Sequence, residues 1–214
     1  MATILDTILE KKKLEIQARK SDESEDRLRE RLDSLPECRG FVASLRETRR
    51  RDERPAIIAE IKRGSPSKGI IREDLAPVET AIDFAQNGAS CLSVLTDESF
   101  FLGSLSYLSN INTALARTQN SIPLLRKEFI LDSYQVTESR AYGADAILLI
   151  VAALSQKDLV LLHTTAITLG LDVRGGHNRA ELDRVLIELP QSDDSRGEKS
   201  APSSGVNNGD LKTF

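Results

Sequence analysis

The chain has 214 residues, of which 40% are hydrophobic and 29% charged, and its formal net charge is -4 at pH 7. This composition predicts one large soluble domain with a substantial core, since α/β barrels run past about 200 residues without dividing. The acidic excess argues against a general nucleic-acid-binding protein or one that binds anionic membranes, and the sequence shows no apolar run of transmembrane length and no signal-type segment.

The N-terminal region predicts a helical extension over residues 1–50. Residues 4–33 are highly charged, with apolar positions at helical spacing that begin at Ile4 and Leu5 and continue at Ile8 and Leu9. Residues 34–40 contain a proline and interrupt this pattern. A second, short helix is predicted over residues 41–50, and the basic triplet around its end is interpreted as a solvated linker.

From residue 55 onward, apolar strands alternate with helices of about ten residues, which is typical of a parallel sheet covered by helices. No GxGxxG turn is present, so a dinucleotide fold is disfavoured and a (β/α) barrel is predicted, with its chemistry at the carboxyl ends of the strands. Ser155 is expected to cap the last of these helices, and Gly170 to end it. The predicted strands are 55–62, 90–96, 122–127 and 145–151, and the predicted helices 78–87, 105–117, 133–142 and 157–169.

The ends of the first and third strands carry an acid and two amines. Glu60 and Lys62 are two residues apart, so both side chains point to the same face of one strand, and Lys127 ends another. Two lysines near one acid suit a general acid and a clamp for a carboxylate or phosphate. The residues alone equally allow an exposed ion pair on the first strand, a solvated Lys127, and a pair between Glu128 and Arg126 outside the barrel.

The chain contains four ordered motifs that carry a family resemblance, which extends from the N-terminal helices to about Val173. The motifs are EIKRGSPSKG, SVLTDESFFLGSLSYL, PLLRKEFILDSYQV and GADAILLIVAAL. They resemble indole-3-glycerol-phosphate synthases, which implies a TIM (β/α)8 barrel with extra N-terminal helices. The resemblance implies a carboxy-lyase of tryptophan biosynthesis that converts 1-(2-carboxyphenylamino)-1-deoxyribulose 5-phosphate to indole-3-glycerol phosphate, carbon dioxide and water, with no metal or organic cofactor. Phosphoribosylanthranilate isomerase, a related barrel, lacks the first motif.

The resemblance assigns catalytic roles to three residues of the barrel. Lys127 matches the family's general acid on the ribulose carbonyl. Lys62 matches the lysine that helps to hold the anthranilate carboxylate, and Glu60 matches the acid that orients this network.

The resemblance also implies a substrate-binding set, although ordinary core is an equally good interpretation of its three pocket positions. Ser65 falls in a short loop whose free backbone N–H groups suit the substrate phosphate. The pocket positions would enclose the anthranilate ring, and they are Ser93, Phe101 and Leu148.

The C-terminal fifth departs from the family pattern. Residues 174–178 read RGGHN where the family has a strand with a catalytic glutamate, and residues 190–205 are of low complexity and are not expected to form a buried sixth strand. The last ten residues again resemble a family motif. Asn207 matches its substrate-contacting, catalytic asparagine, but Gly209 falls where the family has an arginine.

The predicted architecture is therefore a truncated α/β barrel that lacks the last two βα units and has degraded fifth and sixth strands. Its expected divisions are the helical extension 1–50, a partial barrel 51–189, a low-complexity linker 190–204 and a motif remnant 205–214. An open sheet with unpaired edges puts the fold itself at risk.

Two functional hypotheses follow. The chain is a synthase-family enzyme that acts on a small phosphorylated substrate, with activity lost or impaired, or it is a non-catalytic barrel remnant that a partner stabilises. Neither nucleic acid nor a membrane is an expected partner, and the sequence leaves the oligomeric state open. Two isolated cysteines, Cys38 and Cys91, predict free thiols in a reducing compartment, hence a cytoplasmic protein.

Overall fold

The N-terminal region of the computed structural model forms three helices, α1 (Ile4–Asp22), α2 (Glu25–Leu32) and α3 (Phe41–Asp52). The structure describes residues 3–52 and 55–175, with the two-residue segments 192–193, 199–200 and 203–204. The prediction of one continuous helical stretch over 4–33 is wrong at one point. Glu23 is extended, with φ at -135°, and the hydroxyl of Ser24 accepts the Arg27 N–H to begin α2.

The remaining described residues alternate between strands and helices, as the apolar runs predicted. Ser155 caps the last helix and Gly170 follows it with φ at 76°, which is the left-handed conformation that ends many helices. The elements are β1 (Ile58–Ile61), β2 (Gly64–Ser65), β3 (Gly69–Ile70), α4 (Pro77–Gln86), β4 (Cys91–Leu95), α5 (Leu105–Leu115), β5 (Leu124–Lys127), α6 (Ser133–Ala141), β6 (Ala146–Leu149), α7 (Gln156–Thr168) and β7 (Asp172–Gly175).

Five of these strands form one parallel sheet in the order β1-β4-β5-β6-β7, and β2 and β3 form a separate antiparallel hairpin. The fifth strand of the sheet, β7, is built from the residues just before the RGGHN departure and from its first two positions. Three two-residue strands follow, β8 (Ser192–Asp193), β9 (Lys199–Ser200) and β10 (Ser203–Ser204). Strand β10 pairs in parallel with β7, so the low-complexity stretch does contribute backbone pairing at the sixth position of the sheet.

The register divides the sheet into two faces. The face that carries Leu92, Val94 and Leu124 packs under the helices and forms the main hydrophobic core. We call it the outer face. The opposite, inner face carries Cys91 and Leu125, which together with Ala146 surround Phe41 of α3 in a second, smaller core. Helix α3 therefore covers the end of the inner face at which the strands begin.

Polar contacts fix α3 and its connection to this end of the sheet. The Asp172 carboxylate accepts the Val42 N–H at 2.9 Å. The Asp145 carboxylate accepts the backbone N–H of Arg39 at 2.7 Å and pairs with its guanidinium. Both aspartates lie at the start of their strands, so the carboxyl ends of the strands stay clear of α3. Among the described residues, no helix is long and apolar enough to cross a membrane.

Candidate active site

One carboxylate joins two ammonium groups at the carboxyl ends of β1 and β5. Glu60 Oε1 lies 2.8 Å from Lys62 Nζ, and Glu60 Oε2 lies 3.3 Å from Lys127 Nζ. Glu60 is in register with Ser93 and Lys127 with Leu95, which places these side chains on the inner face. We call Glu60, Lys62 and Lys127 the inner cluster. Their side chains are 30%, 33% and 23% exposed, so the cluster is half-buried rather than a solvated ion pair.

The inner cluster has more positive than negative charge. Burial raises the pKa of Glu60, but the charges of Lys127 and Lys62 and their hydrogen bonds outweigh it, so the pKa of Glu60 lies below its ordinary value. Glu60 is therefore ionised at neutral pH and balances one of the two lysines. The remaining positive charge, in a partly dry setting, favours an anionic ligand.

Ser93 and Leu148 lie on the same face as the inner cluster. The hydroxyl of Ser93 is buried, directly opposite Glu60 in the register, and has no hydrogen-bond partner within the described part of the chain. Leu148 is half-buried and lies two residues beyond Ala146 of the inner core. An unpaired buried hydroxyl is costly, which favours a polar ligand at this position.

Ser65 lies in the hairpin of β2 and β3, just beyond the inner cluster. Its hydroxyl accepts the Lys68 N–H at 3.3 Å. The hairpin packs closely against the loop that follows β4. A Cβ at Gly64 would come within 2.8 Å of the Gly69 carbonyl oxygen and 2.9 Å of the Leu102 side chain, so only glycine fits there.

Phe101 lies in that same loop. Its N–H and that of Phe100 donate to Oδ1 of Asp97, at 3.0 and 2.7 Å. Its ring is 6.1 Å from the Phe129 ring, centroid to centroid, and joins a small core beneath α1. Phe101 is thus held between the sheet and the N-terminal extension. Asn207, the remaining predicted catalytic residue, lies outside the described residues.

A second ion cluster lies next to the site, and most of its pairs are absent from the sequence-based predictions. We call Lys12, Asp97, Arg126, Glu128 and Glu138 the outer cluster, and all five are buried. Lys12 Nζ lies 2.8 Å from Asp97 and 3.0 Å from Glu128. The predicted pair of Arg126 with Glu128 is present at 3.8 Å on the outer face, but the closer partner of Arg126 is Glu138 at 2.8 Å.

A detectable signal for Lys12 was present in the sequence. The buried positions of α1 are Leu5, Ile8, Lys12 and Ile16, so a lysine occupies the apolar stripe of this helix. A lysine in such a stripe predicts a buried anionic partner.

The model of the indole-3-glycerol phosphate synthase family matches residues 5–214. The chain belongs to this family. Indole-3-glycerol phosphate synthases are carboxy-lyases of tryptophan biosynthesis with a TIM-barrel fold, and five parallel strands with flanking helices are consistent with a truncated barrel of this kind.

Arg174 distinguishes this chain from the synthase pattern. It is in register with Leu148 and therefore lies on the inner face, on the strand where the family carries a catalytic glutamate. Burial lowers the pKa of its guanidinium. The family motif indicates only the lost glutamate. The orientation of Arg174 follows from its spacing of two from Asp172, whose carboxylate holds α3.

Proposed function

We propose that the inner cluster binds the substrate of the synthase family, 1-(2-carboxyphenylamino)-1-deoxyribulose 5-phosphate, and that the chain catalyses its ring closure at an impaired rate. The observation that carries the proposal is the Glu60 carboxylate bridging Lys62 and Lys127 at the ends of two parallel strands. This arrangement fixes two ammonium groups in place and leaves one of their charges for an anion.

The lysines take different roles in this proposal. Lys62 holds the anthranilate carboxylate. As the ring carbon that bears this carboxylate forms a bond to the ribulose carbonyl carbon, the Lys127 ammonium donates a proton to the carbonyl oxygen. The carboxylate then leaves as carbon dioxide, and its bonding electrons restore the aromatic ring. Loss of the new hydroxyl as water, together with a proton from the neighbouring carbon, completes the indole.

The other predicted residues surround the substrate. The ring of Phe101 and the aliphatic side chain of Leu148 would enclose the anthranilate ring. The unpaired hydroxyl of Ser93 would hydrogen-bond to a polar group of the substrate. Ser65, in the hairpin next to the inner cluster, would lie at the phosphate.

The expected loss of catalytic rate follows from the residues of β7. The family's glutamate is an acid/base group on this strand, whereas Arg174 presents a guanidinium that cannot accept a proton at neutral pH. Loss of a positioned acid/base group typically costs a factor of about 10²–10⁴ in rate. We therefore expect substrate binding to be retained better than turnover.

The proposal is tested by titration with a reduced substrate analogue in which an alcohol replaces the ribulose carbonyl, so that no turnover occurs. The chain contains no tryptophan, so the fluorescence of the aminobenzoate ring reports binding with little protein background. Lys62→Met and Lys127→Met each remove a charged donor and are expected to weaken binding by about 10- to 100-fold. Lys157→Met, at an exposed position on α7, is the matched control and should bind as the parent chain does.

Two outcomes would refute the proposal. If the parent chain does not bind the analogue, it is better described as a non-catalytic remnant of the barrel. If all three lysine variants bind equally well, the ligand does not contact the inner cluster.

A further inference from the structure

Helix α1 packs against both loops that carry the proposed site. Leu5 and Ile8 form a buried core with Phe129, and Phe100 and Phe101 pack against it. Phe129 follows the end of β5, and the two other phenylalanines lie in the loop after β4. The N-terminal extension thus contacts both elements between which a ligand at the inner cluster would lie.

A single buried lysine of α1 connects these two elements electrostatically. Lys12 is 4% exposed, and its ammonium lies 2.8 Å from Asp97, 3.0 Å from Glu128 and 2.6 Å from Glu15. Burial lowers the pKa of Lys12, but the charges of Glu128 and Asp97 outweigh it and raise the pKa well above its ordinary value. The ammonium is therefore charged at neutral pH, and it neutralises carboxylates that would otherwise repel one another in a dry environment.

The buried carboxylates of Asp97 and Glu128 also accept hydrogen bonds from backbone N–H groups in or next to the proposed site. Asp97 accepts the N–H groups of Phe100 and Phe101. Glu128 directly follows Lys127 in the chain, and its Oε1 accepts the Phe129 N–H at 2.9 Å. The position of Lys12 is thus coupled to the aromatic wall on one side and to the general-acid strand on the other.

We propose that Lys12 is a positioning residue of the site, which holds the Phe101 loop and the end of β5 at a fixed separation through Asp97 and Glu128. The expected effect of Lys12 on ligand binding rests on the proposed function. The inference reaches beyond that function in assigning a role to a residue that contacts neither the ligand nor the inner cluster.

The test compares Lys12→Met with Lys13→Met, which removes an adjacent exposed lysine of the same helix. Amide hydrogen exchange is measured at Phe100 and Phe101, and the reduced analogue is titrated as above. Lys12→Met is expected to accelerate exchange at these two amides by about tenfold or more and to weaken analogue binding by a similar factor, since both carboxylates lose their shared partner. Lys13→Met should leave both quantities as in the parent chain.

The outcomes separate this inference from the proposed function. Unchanged exchange in Lys12→Met would overturn the inference, and so would accelerated exchange with unchanged analogue affinity. If the parent chain binds no analogue, the proposed function fails, while the exchange measurement still decides whether Lys12 fixes the loop.

A second variant keeps the test decisive if Lys12→Met does not fold. The double variant Lys12→Met/Glu128→Gln removes one of the two carboxylate charges that lose Lys12, so it should have a higher melting temperature than Lys12→Met and allow the exchange measurement. A melting temperature equal to or below that of the single variant would contradict the pairing on which the inference rests.

Discussion

The inner and outer clusters are adjacent in the structure but opposite in charge and burial. The inner cluster has one carboxylate between two lysines and is half-buried. In the outer cluster three carboxylates face one lysine and one arginine, and every member is buried. Arg126 and Lys127 are consecutive residues of β5, so one strand supplies both clusters from its two faces. A network whose members are all buried and paired with one another is typical of a structural role, whereas a partly exposed one with excess positive charge indicates an anionic ligand.

The largest expected effect comes from breaking the outer cluster. Arg126→Met removes the closest cation of Glu138, at 2.8 Å, and the more distant of the two buried cations of Glu128, and it should lower the free energy of unfolding by about 3–5 kcal/mol. Urea unfolding monitored by circular dichroism measures this change. The matched variant on the inner face, Lys127→Met, should cost no more than about 1 kcal/mol, because its ion pair with Glu60 is partly solvated. Equal losses in the two variants would show that the clusters do not differ in role.

A pH series tests the charge state of Glu60. The native pKa of Glu60 lies below its ordinary value of 4.5, so its stabilising contribution is fully present above pH 4.5 and is lost as the pH falls through the lower native value. Glu60→Gln should therefore be less stable than the parent chain at neutral pH, and this difference should shrink on acidification below the native pKa. Urea unfolding of both proteins across this range gives the comparison. A difference that grows on acidification would contradict the assigned charge state.

A smaller effect is expected for the reactivity of the two cysteine thiols. Burial raises the pKa of Cys91, in the inner core, to about 12 and that of Cys38, beside the outer core, to about 11. Since only the thiolate reacts, both cysteines should react with a disulfide reagent at neutral pH far more slowly in the native chain than in urea. A rapid native reaction of Cys91 would show that the inner core is open to solvent.

The sequence predicted the inner cluster and missed most of the outer one for a physical reason. The strand period of two is enough to place Glu60 and Lys62 on one face, and parallel strands bring Lys127 to the same edge. The contacts of Lys12 with Asp97 and Glu128 join residues that are far apart in the chain, and no local pattern encodes which partners a buried lysine finds. The break at Ser24 was also missed, although a serine before two acidic residues is a helix-start signal.

The β7 strand shows the limit of reasoning by motif. The family motifs point to residues that the family has and this chain lacks. The register with Leu148 shows that Arg174 lies on the inner face. A missing glutamate and a new guanidinium there have different consequences, since the first removes a proton acceptor and the second adds charge to an already positive face.

The affinity of the reduced analogue for Lys127→Met and for Arg126→Lys tests the central claim most directly. These neighbouring residues of β5 face opposite sides of the sheet, and Arg126→Lys preserves the buried positive charge. The account predicts that Lys127→Met weakens binding by at least about tenfold, while Arg126→Lys changes it by less than about twofold at a temperature where both variants are folded. Equal affinities, or a greater loss in Arg126→Lys, would contradict the assignment of the inner cluster as the ligand site.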